Sequence, residues 1–139
     1  MAKRYLVDTS AVIKYLNETF PEKGLEFMDE VVDGNSAISF ISEVELQVWC
    51  PINPEDSLIY NQFAASSFIY GIDNEIISET IRIRKQSNVK LPDAFIAATA
   101  IINNLTLVAD NDKDFQKIKG LEYINPGTLN TSEDTNNVS

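Results

Sequence analysis

Four short apolar runs, separated from one another by sequence of helical period, limit this chain to few folds: RYLV at 4–7, SAISFI at 36–41, LTLVA at 105–109 and LEYI at 121–124. Runs this short and this apolar are strands buried on both faces, and strands that alternate with helices build an α/β fold around a mainly parallel sheet. The first helix follows at 9–17, with Ala11, Val12, Tyr15 and Leu16 on one stripe. A second is expected from a Thr19 cap, with Pro21 near its first turn and Leu25, Met28, Val31 and Val32 inward until Gly34. Ser42 and Glu45 have the spacing of a capping box that opens a helix after the second strand. Pro51 and Pro54 break the chain before a helix over 54–67. The apolar run 67–72 is open between a strand and a turn, because it has no periodicity. A helix from Asp73 carries Ile76, Ile77 and Ile81 and ends in a basic cluster. Residues 91–104 form the clearest helix, with Pro92 and Asp93 in its first turn and a middle so apolar that more than one side is buried. A short helix is expected over 111–118. One domain spans 1–127, and the acidic polar stretch 128–139, without aromatic residues, Lys or Arg, reads as a disordered tail.

Composition narrows the chemistry. The 139 residues include no histidine and one cysteine, so Ser-His-Asp triads, Cys–His pairs and imidazole-ligated zinc are excluded, while variants built on Lys or carboxylate survive. Metal chemistry is left to oxygen ligands, which select hard cations. Cys50, between Trp49 and Pro51, reads as a small buried apolar filler. The formal charge of −10 argues against a non-specific nucleic-acid binder, unless acids are gathered around cations. Lys3 and Arg4 precede an apolar stretch that Asp8 and Lys14 interrupt at once, so neither a signal peptide nor a membrane span is expected, and a cytoplasmic location is.

The acids matter by position. Asp8 ends the first strand, Glu45 lies soon after the second, Asp93 opens the apolar helix, and Asp110 ends the LTLVA strand with Asp114 one turn on. A parallel sheet collects strand C-termini and the following helix N-termini along one edge, where ligands bind. Acids converging there raise one another's pKa values unless a cation lies among them. One hard ion, or two about 4 Å apart, relieves that conflict and supports phosphodiester hydrolysis without histidine. Taken singly, most of these acids have plainer roles: Glu45 in a capping box, Asp93 as a first-turn charge, Asp110 and Asp114 in a solvated turn. Asp8 does not, because it follows the strand directly and has no basic partner nearby in sequence. An aspartyl-phosphate phosphatase lacks its second Asp, where Ser10 stands. A phosphate-binding loop lacks its glycines.

YLVDTSAVIKYL (5–16), AISFISEVELQV (37–48) and KLPDAFIAATAIINNLTLVADNDKDF (90–115) together resemble the motifs of the PIN domain family, in particular its small ribonuclease toxins of toxin–antitoxin systems. The resemblance implies a three-layer α/β/α sandwich, a Mg²⁺- or Mn²⁺-dependent endoribonuclease, an RNA substrate, a cognate antitoxin and a homodimer, with no membrane partner. It assigns Asp8, Glu45 and Asp93 to metal and catalysis, and gives the fourth place to Asp114, with Asp110 a further metal candidate. Family members commonly carry Thr where this chain has Ala109, and Asn111 stands two beyond. Thr9, Ser10 and Asn111 are auxiliary candidates, though a helix cap accounts equally for Thr9 and Ser10. Arg82, Arg84, Lys85 and Lys90 are candidate substrate contacts, against a solvated helix end that the dipole favours. A catalytically weak or inactive PIN-like protein-binding module is the alternative function.

Overall fold

A computed structural model describes residues 3–34 and 36–129. Within them, five parallel strands form one sheet in the order β3-β2-β1-β4-β5. These are β1 (Tyr5–Val7), β2 (Ser36–Ser39), β3 (Phe68–Tyr70), β4 (Thr106–Val108) and β5 (Tyr123–Ile124). The helices are α1 (Thr9–Leu16), α2 (Glu22–Asp33), α3 (Phe40–Val48), α4 (Ser57–Ser66), α5 (Asn74–Gln86), α6 (Leu91–Ile102) and α7 (Asp112–Phe115).

The strands divide their side chains between two cores, as a period of two requires. Leu6, Ala37 and Leu107 face α5, α6 and α7, where Ile76, Ile83, Ile96 and Phe115 are buried. Val7, Ile38 and Val108 face the other way, onto Val12, Met28, Leu46 and Tyr60 of α1 to α4. The result is the expected three-layer sandwich, in which each fully buried Leu or Ile contributes about 2 kcal/mol. In α6, Ala94, Ile96, Ala97, Ala98, Thr99 and Ala100 are all buried, so this helix is enclosed on several sides.

Several local expectations change. The 67–72 run is a strand, because Phe68, Ile69 and Tyr70 pair in register with Ala37, Ile38 and Ser39. The second strand stops at Ser39, whose hydroxyl accepts the Ile41 N–H at 2.8 Å and caps α3. Ser42 therefore lies inside α3, fully buried, and the Ser42–Glu45 capping box does not form. Pro21, rather than Thr19, is the N-cap of α2, and the Thr19 hydroxyl donates to the Lys14 carbonyl instead. Residues 54–56 form a 3-10 turn ahead of α4. Thr128, the first residue of the expected tail, closes the 3-10 turn Pro126–Thr128 against α2; residues 130–139 of that expectation lie outside the described residues. Among the described residues, no helix is long and apolar enough to cross a membrane.

Candidate active site

The sheet reverses direction at β1: the chain builds outward through β2 and β3, then returns to add β4 and β5 on the other side. At such a switch point the connections after neighbouring strands part, leaving a crevice at their C-terminal ends. Asp8 and Asp110 flank that crevice. The Asp8 N–H extends the ladder to the Val108 carbonyl at 2.8 Å.

The first turn of α1 fixes two carboxylates. Asp8 is its N-cap and accepts from the Ser10 N–H at 3.2 Å and the Ser10 hydroxyl at 2.5 Å. Ser10 Oγ in turn accepts the Asp110 N–H at 3.1 Å, which ties the ends of β1 and β4 together. Thr9 Oγ1 donates to Glu45 Oε1 at 2.5 Å and lies 2.9 Å from Ser42 Oγ. The same α3 start that buries Ser42 thus places Glu45 in the second turn, facing α1. Asp93 comes from the first turn of α6, after Pro92. A cleft of about 630 Å³ is lined by Asp8, Thr9, Ser10, Glu45, Asp93, Asp110 and Asn111, with Ile13, Val48, Trp49 and Cys50 on its apolar wall.

Asp8 is only 6% exposed. Burial pushes its carboxyl up, the Ser10 hydroxyl and N–H pull it back, and the Glu45 charge adds to the rise. Asp93 is pushed up to about 6, first by burial and then by the charges of Asp8, Asp114 and Glu45, against a lowering by Lys90. Asp114 therefore stands within electrostatic reach of the cluster although it does not line the cleft; the Asn111 amide donates to its Oδ2 at 3.2 Å. Asp110 differs. Lys14 pairs with it and holds its carboxyl below the usual range, with help from the Asn125 amide at 2.8 Å.

The donor set fits a hard divalent cation, because the carboxylates and hydroxyls of the cleft are oxygen ligands and their mutual repulsion is what such an ion relieves. Among the described residues, no three acidic or cysteine side chains are drawn tightly enough together to enclose an ion. Asp8 is turned to Ser10, and Glu45 to Thr9.

Residues 5–121 match the PIN domain. The chain belongs to the PIN domain family. Ribonuclease VapC1 of Methanocaldococcus jannaschii is 35% identical over 121 residues, spanning 84% of this chain and 82% of that protein. Among solved structures, VapBC2 from Rickettsia felis bound to a DNA fragment from their promoter matches with a TM-score of 0.71 and 25% identity, over 87% of this chain and 97% of that one. A toxin–antitoxin complex from Klebsiella pneumoniae matches with a TM-score of 0.71 and 27% identity, over 88% and 97%.

Not every candidate of this PIN domain reaches the cleft. Arg82 is spent on Glu79, on Gln86 at 2.8 Å and on the Lys119 carbonyl at 3.3 Å. Arg84 donates to the Val89 carbonyl at 2.6 Å. These two hold the end of α5, as a helix terminus would use them, while Lys85 is exposed and Lys90, at the N-cap of α6, is the cation nearest Asp93 in sequence. Cys50 corrects an expectation: it is exposed rather than buried, because α3 ends at Val48 and the extended backbone of Trp49 carries the chain away from the core. Sequence reasoning missed Lys14 and the wall residues. Lys14 was findable, since it lies one turn after Ser10 on the same helix face.

Proposed function

We propose that this PIN domain is a Mg²⁺- or Mn²⁺-dependent endoribonuclease and the toxin of a toxin–antitoxin pair. The observation that carries the reading is the meeting of Asp8, Glu45 and Asp93, from the end of β1, the middle of α3 and the start of α6, in one cleft at the switch point. The ribonuclease name of the archaeal relative and the toxin–antitoxin complexes among the structural neighbours support it.

Asp8, Glu45 and Asp93 would hold the ion, with Asp114 completing the acidic edge and Asp110 secured by Lys14. When bound, the ion offsets the charge of the scissile phosphate and makes water a stronger nucleophile at neutral pH. The chain's own part is placement. Ser10 and Thr9 fix the rotamers of Asp8 and Glu45, burial strengthens every charge interaction at Asp8, and Asn111 steadies Asp114. Hydrolysis forms a bond from water oxygen to phosphorus and breaks the bond to O3′, leaving 5′-phosphate and 3′-hydroxyl ends. Lys90, three residues before Asp93, and the exposed Lys85 would ease the approach of an anionic strand to an acidic protein. A homodimer and a small antitoxin covering the cleft complete the proposal, and both carry over from the toxin family.

The hydroxyl contacts that already occupy Asp8 and Glu45 favour one second reading, a binding module with a weak metal site. Antitoxin-free protein decides between them. Incubated with single-stranded and structured RNAs, it is expected to cleave with Mn²⁺ or Mg²⁺, to stop with EDTA, and to lose at least about 100-fold on Asp93→Asn. Metal-dependent cleavage that survives Asp93→Asn refutes the site. No cleavage of any RNA supports the binding module.

A further inference from the structure

A feature of the cleft wall deepens the ribonuclease reading and rests on it. Trp49 is the chain's only tryptophan. Its backbone N–H donates to the Glu45 carbonyl at 3.0 Å, so it stands one helical turn, about 6 Å, beyond Glu45 on the same helix. Its side chain lines the cleft that Asp8, Glu45 and Asp93 line, yet it remains 43% exposed. Its indole N–H makes no hydrogen bond among the described residues. Val48, 67% exposed, and Ile13 continue the same wall. The cleft therefore joins an acidic floor to an aromatic, apolar rim one helical turn away.

A nucleotide has the same two parts. Its phosphate seeks cations or a metal-bearing acidic site, and its unstacked base seeks a flat aromatic face, which proteins that bind single-stranded RNA supply with tryptophan, tyrosine or phenylalanine. We propose that Trp49 is a base-stacking platform: the base beside the scissile phosphate lies on the indole, and this contact sets that phosphate over Asp8, Glu45 and Asp93. Because every base has a π face, the contact selects single-stranded or splayed RNA over duplex, with little preference among sequences.

The single indole gives a readout independent of cleavage. With Ca²⁺ present to neutralise the acidic floor, a short oligouridylate is expected to quench the tryptophan emission, and the same strand with abasic nucleotides is expected not to. With metal, Trp49→Ala is expected to lower kcat/KM on single-stranded RNA by about 10- to 100-fold, mainly through KM, while Trp49→Phe restores most of it. An abasic nucleotide beside the cut site costs the parent protein a similar factor and costs Trp49→Ala nothing further. Circular dichroism of the variants controls for folding. Trp49→Ala cleaving like the parent, or equal quenching by the abasic strand, overturns the inference. If the parent cleaves no RNA, the ribonuclease reading fails by itself, and the quenching titration still decides: emission unmoved by oligouridylate assigns the indole to a protein-docking rim instead.

Discussion

The carboxyl of Asp93 holds its proton to about pH 6 because burial, Asp8, Asp114 and Glu45 together outweigh Lys90. An ordinary aspartate in the unfolded chain loses that proton near 3.8. Between those values the native protein binds a proton that the unfolded chain has released, so stability falls as pH rises through the window and stays reduced above it. The metal-free protein is therefore expected to melt several degrees lower at pH 7 than at pH 5 on Asp93's account. Asp93→Asn is expected to flatten that dependence and stabilise the metal-free fold at pH 7 by about 1–2 kcal/mol while abolishing activity. Calorimetry in EDTA across pH 4.5 to 7.5 checks it; an unchanged profile in the variant refutes the strained-acid account. The sequence alone exposed Asp8, because no plainer role suited an acid at that place. Asp93 was harder to single out, since a first-turn acid after proline is ordinary and its burial is visible only once the cleft with Asp8 and Glu45 is assembled.

At the scale of elements, legibility followed periodicity. Helix α6 was plain because its apolar middle exceeds what one face requires. β3 was not, because a few apolar residues in a row fit a strand or a turn until a neighbour pairs with them. The start of α3 was misplaced because Ser39 and Ser42 both suit a cap; the register of β2 against β1 and β3 decides for Ser39 and frees Ser42 to meet Thr9. One helix contact depends on a missing side chain. A Cβ at Gly24 of α2 would collide with the carbonyl oxygen of Pro126 and stand 3.2 Å from Phe20 Cβ. Alanine is the better helix former by about 1 kcal/mol, but here the obstacle is backbone. Gly24→Ala is expected to destabilise the protein by about 1–2 kcal/mol in urea titrations, and a variant as stable as the parent would show that the turn at 126–128 is not fixed against α2.

For the whole molecule, a charge of −10 with acids gathered at one sheet edge means that the metal-free protein works against its own field. A cation that binds only the native cleft stabilises it by mass action, about 2.7 kcal/mol at a hundred times its dissociation constant. Millimolar Mn²⁺ or Mg²⁺ is expected to raise the melting temperature by several degrees at pH 7 and to leave Asp93→Asn nearly unmoved. An equal rise in both proteins would point to diffuse screening rather than a site.

The parallel pairing of β1 with β4 also has a temporal side. Asp8 is synthesised about a hundred residues ahead of β4, yet its N–H bonds to Val108, its Ser10 partner is bonded by Asp110, and Asp93 arrives only with α6. A nascent chain that ends before β4 already carries Asp8, Glu45 and Asp93 but lacks the strand that closes the cleft beside β1. The cleft therefore cannot assemble on the ribosome until β4 has emerged and paired with β1.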